Sequence, residues 1–316
     1  MNKYIIKTIA IATILITLNS CAQNTKKQKN MSTEYRDKIK NNYKNVKSYD
    51  YNPIYQLRYQ SYNCPMEVYI NDVLVVYLAG GGRSAGEQIV QVPDYILKSG
   101  IQSFRVKIYP LLDKNKNFEK FVSRDAELKL RVTYQDYERE KNGKYTEVIK
   151  AELPLIDKDL PFIELEGKFK AVVPYVLEGW SQGVDLSKEN PEKLEEEVIV
   201  KMNEIADLYR NEDIEGLARE QYNRVKEIDQ AFYFTTKENS EEWETELKDD
   251  FNQSIGVEVV EGKMKIMGEG RLVTILIDKG PFYNKAVIRS ETKDTYVVYP
   301  QYFYRPSPGA KLEIIR

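Results

Sequence analysis

The segment YLAGGGRSAGEQI, from Tyr77 to Ile89, places glycines at 80, 81, 82 and 86. Gly80, Gly82 and Ala85 satisfy a relaxed dinucleotide-loop spacing, with Arg83 at the tip as a cation for an anionic or carboxylate partner. That chemistry needs a helix directly after the loop, so that its N-terminal N–H groups face the pyrophosphate. The chain instead continues EQIVQVP, and Glu87 stands where a triphosphate loop carries lysine. We read the loop as a strand connection or bulge. A second spacing, Asp113, Asn115 and Asn117, matches the first ligands of a calcium loop. Phe118 replaces its turn glycine and Arg124 its bidentate glutamate, so a solvated hairpin tip is expected.

The chain contains no histidine. This excludes Ser-His-Asp and Cys-His catalysis, histidine-ligated zinc and imidazole proton transfer. Carboxylate-only chemistry, a Ser-Lys dyad and an oxygen-ligated metal remain open, but no spacing among 49 Asp and Glu selects a catalytic pair. No catalytic residue, cofactor or metal ligand is therefore assigned. Of 24 tyrosines, those in YVVYPQYFYRP stand out. Tyr302 and Tyr304 share one strand face, Phe303 takes the other and Arg305 follows, which suits a pocket rim or partner surface. With 47 Lys and Arg against 49 Asp and Glu, the chain lacks the basic excess of a nucleic-acid binder.

At the N-terminus, MNKYIIKTIAIATILITLNSC has a cationic start and an apolar run from Ile9 to Leu18, too short to span a bilayer. Leu18-Asn19-Ser20-Cys21 resembles the bacterial lipobox. The resemblance implies a lipoprotein signal peptide over residues 1–20, cleavage before Cys21 and acylation of its thiol and amine. Residues 21–48 are polar, rich in Lys and Asn and without apolar periodicity, and we expect a flexible tether. The basic AQNTKKQK after the cysteine lacks acidic residues, which favours the periplasmic face over the cell surface. With Cys21 acylated, Cys64 is the one remaining thiol and no intramolecular disulfide can form.

The elements that would position these residues fall into two halves. Residues 49–185 read as short alternating strands with polar turns, among them Asn71-Asp72 and Ser99-Gly100, and predict an antiparallel β-sandwich. Their order resembles the jelly-roll modules that bind carbohydrate, which implies a sandwich with a loop-built edge. Trp180 is expected to wedge the joint between the halves.

Near Asn190 the period becomes helical. Asn190-Pro191 is an N-cap and first-position pair, followed by a stripe of Leu194, Val198, Met202, Ile205 and Tyr209. A second helix starts near Ile214. A third, capped by Ser240, carries Trp243, Leu247 and Phe251 inward, with its glutamates solvated. Strands return after Ile255. MNEIADLYRNEDIEGLARE resembles the opening helix pair of the nuclear transport factor 2-like superfamily, which implies a cone-like α+β domain over residues 190–316, three helices and then an antiparallel sheet around a pocket. The fold class is thus α+β. The expected function is a non-catalytic lipoprotein of the bacterial envelope, tethered through the lipid on Cys21. It binds a protein partner, for instance as an immunity protein against a delivered toxin. Glycan binding and a carboxylate-only enzyme are the alternatives.

Overall fold

The computed structural model describes residues 33–316, apart from Arg83, Ala85, Lys116, Glu138, Lys141, Asn142 and Asp294. The expected signal peptide, Cys21 with residues 22–32 of the expected tether, and Arg83 lie outside the described residues. The fold is α+β, and eight strands precede the three long helices. A short helix α1 (Glu34–Lys40) leads into β1 (Pro53–Tyr62), β2 (Met66–Ile70), β3 (Val73–Leu78), β4 (Gln88–Gln91), β5 (Gly100–Ile108), β6 (Glu127–Asp136), β7 (Thr146–Glu152) and β8 (Ile163–Ala171). These form two four-stranded antiparallel sheets, β4-β1-β6-β7 and β3-β2-β5-β8.

The alternation in the sequence explains the packing, because successive strand side chains face opposite ways. Leu57, Leu130 and Val132 from one sheet and Val68, Phe104 and Val106 from the other enter a single buried cluster. The Asn71-Asp72 turn forms as expected: both residues take positive φ, +49° and +61°, which a two-residue hairpin requires. The glycine loop joins β3 of one sheet to β4 of the other, and a strand, not a helix, follows it. Gly82 and Gly86 lie at φ +97° and +77°, so the glycines serve the turn. The Asp113 segment is likewise a hairpin tip: Leu112 bridges Phe118, and Asp113 Oδ1 accepts from the amides of Asn115 and Asn117 at 2.8 and 3.0 Å.

The second half holds α2 (Pro191–Arg210), α3 (Ile214–Ala231) and α4 (Lys237–Gln253). Asn190 Oδ1 accepts from the Lys193 amide at 2.9 Å, and all five residues of the expected stripe are buried. One boundary differs. Thr236, not Ser240, caps α4, and Ser240 lies buried inside the helix, where its Oγ accepts from the Tyr43 amide at 2.9 Å. The hydroxyl that reads as a cap is used in a tertiary contact.

The strands that follow are β9 (Val257–Val259), β10 (Lys263–Met267), β11 (Leu272–Leu276), β12 (Ile288–Glu291), β13 (Tyr296–Val298), β14 (Phe303–Tyr304) and β15 (Glu313–Ile314). They pair antiparallel as two separate sheets, β10-β11-β14-β15 and β13-β12-β9, and not as one long sheet.

Within the expected tether, the described residues from 33 onward depart most from the sequence reading. Residues 34–44 are ordered against α3 and α4. Ile39 is fully buried with Ala218 and Val225, and Tyr35 packs edge-on against Tyr222. Arg36 donates to both Glu244 oxygens, with Lys40 and Lys248 on the same carboxylate. These cations hold Glu244 well below the usual carboxylate range, the Arg36 hydrogen bonds first among the causes. One apolar anchor and several polar partners suffice here, and neither leaves a periodic pattern in seven residues.

Trp180 wedges the joint as expected. It is buried with Tyr69, Val73 and Leu74 on one side and Met267, Leu272 and Tyr304 on the other. Arg316 crosses the same joint, donating to the Asp94 carbonyl and to Glu227 at 2.9 Å each, with its guanidinium over the Trp180 ring. No helix among the described residues is long and apolar enough to cross a membrane.

Candidate functional site

A cavity of about 460 Å³ opens among the three long helices and the chain leaving β13. Tyr209 enters it from the end of α2, Gln221, Arg224 and Asp229 from α3, Trp243, Glu246 and Asp250 from α4, and Tyr299 and Gln301 from the strand end. β13 ends at Val298, two residues before Pro300, which cannot donate to a ladder. The Gln301 carbonyl stays fixed by a 2.7 Å hydrogen bond from Thr274 Oγ1.

Part of the wall is a hydrogen-bond chain. Trp243 Nε1 donates to Gln221 Oε1 at 3.3 Å, and Gln221 Nε2 donates to the Tyr209 hydroxyl at 3.0 Å. The Tyr209 and Tyr299 rings stack with centroids 4.1 Å apart, a geometry that fixes both rings. Burial raises the Tyr209 phenol and pushes Tyr299 up to about 12. Asp229 accepts from Asn42 Nδ2 at 2.6 Å, and burial pushes its carboxyl up to about 6.

The rest of the wall is unsatisfied. Gln301 is 1 % exposed, and neither its amide nitrogen nor its amide oxygen has a hydrogen-bond partner. Its side chain lies beside the Tyr209 hydroxyl without reaching hydrogen-bond geometry. The Tyr299 hydroxyl, with Ser254 beside it, likewise has no partner in hydrogen-bond geometry. Buried polar groups are normally paired. Of nine orphaned buried atoms among the described residues, these three belong to this one cavity. The wall thus holds an unpaired primary amide and an unpaired hydroxyl, their polar atoms nearly without exposed surface, among lining residues that include Trp243 and Phe234.

Tyr302, Tyr304 and Arg305 do not form the surface that the sequence suggests. β14 runs between β11 and β15, so both of its edges are paired, and the side chains on both of its faces are buried. Tyr302 and Tyr304 point into the joint with Trp180, and Phe303 points into the core beneath the helices. Arg305 is buried and paired with both Glu189 (2.9 and 3.0 Å) and Glu197 (3.1 and 2.7 Å), which pin the start of α2. These contacts raise its already high pKa and leave the guanidinium no free face for a partner. The sequence pointed to the right segment, but the unpaired polar side chain sits one residue earlier, at buried Gln301. Gln301 itself carries no local signal. The residues missed on α4 had one: Glu242, Glu246 and Asp250 recur every fourth position, and like charges at that spacing are unfavourable unless something uses them.

A second polar cluster lies at the joint. Buried Glu67 accepts from the Tyr69 and Tyr109 hydroxyls at 2.6 and 2.7 Å and from Asn284 Nδ2, with Lys265 Nζ 3.7 Å away. Both of its oxygens are occupied by protein donors, so it ties the halves together. Among the described residues no group of three His, Cys, Asp or Glu could hold a metal ion. No protein-family model matches the chain, and neither a curated protein nor a solved structure matches it.

Proposed function

We propose that this protein is a lipid-tethered, non-catalytic binding protein of the bacterial envelope, and that it takes its ligand in the cavity beside Gln301. The observation that carries this reading is the buried Gln301 amide with both polar atoms unpartnered. Leaving such groups unmade costs about 1–3 kcal/mol each, a cost that a polar ligand offsets. Cavities of this volume with a few convergent polar groups are typical ligand sites.

Binding without turnover is supported by the chain's own chemistry. It has no histidine, and burial pushes the Cys64 thiol up to about 12, far from a reactive thiolate. The lipobox-like Leu18–Cys21 supports the anchor. Acyl chains on both thiol and amine would give stable attachment on the periplasmic face, and α1 follows closely after. For the architecture, we propose a β-sandwich over residues 49–185, supported by the shared core of the two sheets. The proposed cone-like unit over residues 190–316 is supported by the cavity between helices and strand ends.

Two experiments test the reading. Cys21→Ser should move the protein from the membrane to the soluble fraction; unchanged membrane retention would remove the anchor. A ligand-observed NMR screen of polar fragments against the full chain and Gln301→Leu should find binders lost in the variant. If no fragment distinguishes the two proteins, the cavity is not the binding site.

A protein partner is the second reading, favoured by two large apolar side chains on the β7–β8 connection, Leu155 at 97 % and Phe162 at 54 % exposure. An immunity protein would present such a surface. Cross-linking in cells should lose a partner with Leu155→Ser and Phe162→Ser; an unchanged pattern would count against it.

A further inference from the structure

The cavity keeps opposite charges apart. Arg224 on α3 makes no salt bridge with a described residue, although its charge is felt by buried Asp94, and its hydrogen bond among them is a long one, 3.5 Å to the Pro300 carbonyl. Glu242, Glu246 and Asp250 on α4 line the same cavity, and none has a cation within salt-bridge distance among the described residues. The helix is not short of cations. Glu241 pairs with Lys237 and Glu244 with Lys248, but neither glutamate lines the cavity. Lysines are thus spent away from the cavity while the carboxylates facing it stay free.

Resting on the reading of this cavity as the binding site, we propose that its occupant is a short peptide with both ends free. The ammonium end faces Glu246 and Asp250, the carboxylate end meets the Arg224 guanidinium, and a peptide group between them pairs with the Gln301 amide. Each part follows from the chemistry of the wall. A guanidinium recognises a carboxylate through two parallel hydrogen bonds. An orphaned primary amide offers one acceptor and two donors, the complement of a peptide C=O and N–H.

Other ligand classes satisfy less of the site. A single amino acid brings both charges but no amide. A neutral sugar serves Gln301 and leaves every charge unpaired, and a nucleotide sets its phosphates against three carboxylates. Burial first, and then neighbouring carboxylates, raise Glu246 and Asp250 above their ordinary range. An arriving ammonium relieves that strain. The apolar faces of Trp243 and Phe234 leave room for a side chain at the middle of the peptide.

Titration calorimetry on the full chain tests this with Ala-Phe-Ala, its N-acetyl form and its C-terminal amide. The free peptide should bind, and each cap should weaken it by about tenfold or more, the loss of one charge-assisted contact. Arg224→Gln should abolish the preference for acid over amide and keep the preference for amine over acetyl. Glu246→Gln combined with Asp250→Asn should do the reverse. Thermal melts of both variants check that they fold. Capped peptides binding as well as the free one, or no heat from any of them, overturns the inference. If fragments of other chemistry occupy the cavity while the peptides do not, the inference falls and the binding-site reading stands. If nothing distinguishes Gln301→Leu from wild type either, both fall.

Discussion

Gln301 and Asp229 are single residues whose burial runs against their chemistry. Gln301→Leu replaces two orphaned atoms with a side chain of similar shape. It should therefore stabilise the fold, by about 1–3 kcal/mol, while abolishing ligand binding. Urea denaturation reads the gain, and a loss of stability would show that the amide has a structural partner. Asp229 gives a pH signature. Its folded pKa of about 6 lies above the ordinary carboxylate value, so the folded state binds the proton more tightly than the unfolded chain. That contribution is complete below about pH 4 and is lost as the pH rises through about 6. Asp229→Asn should match wild type near pH 4 and exceed it at pH 7.5 by on the order of 2–3 kcal/mol. An equal difference at both pH values would mean that Asp229 is not titrating in the folded protein.

At the scale of elements, α1 and α4 depend on one carboxylate. Glu244 collects Arg36, Lys40 and Lys248, and its depressed pKa means a contribution present at neutral pH and lost in acid. Glu244→Gln should cost about 1.5–3 kcal/mol at pH 7. It should also raise amide exchange in α1 before α4, because α1 has only Ile39 as a fully buried anchor. Hydrogen exchange in which α1 is as protected as in wild type would show that the apolar contact suffices. The element also bears on function, since Asn42, just beyond α1, holds Asp229 in the cavity wall. Helical structure thus begins at Glu34, inside the expected tether, and Asn42 links this segment to the cavity wall through Asp229.

For the whole molecule, the joint decides whether the two halves unfold together. Trp180, Arg316, the Glu67–Asn284 contact and the hairpin tip all cross it; the Asp72 carbonyl accepts from the Gly268 amide at 3.1 Å. Trp180→Ala removes the largest apolar side chain there and should cost about 3–5 kcal/mol. It should also split one cooperative melt into two, seen by calorimetry. A single sharp transition in the variant would mean that the polar contacts alone couple the halves.

The sequence by itself determined whatever depends on local periodicity and stereochemistry. Alternation gave β5 and β6, Asn190-Pro191 gave the start of α2, Asn71-Asp72 gave a hairpin, and the missing helix after Gly86 ruled out a phosphate loop. Those signals lie within a few neighbouring residues, where backbone and side-chain preferences act. Only the tertiary structure decided the fate of groups whose partners lie far along the chain. Glu244 reads as a solvated glutamate until Arg36, more than two hundred positions away, reaches it. Tyr302 and Tyr304 read as a rim until Trp180 and its neighbours from both halves pack over them. Gln301 has no signature at all, because a glutamine is orphaned only by what surrounds it.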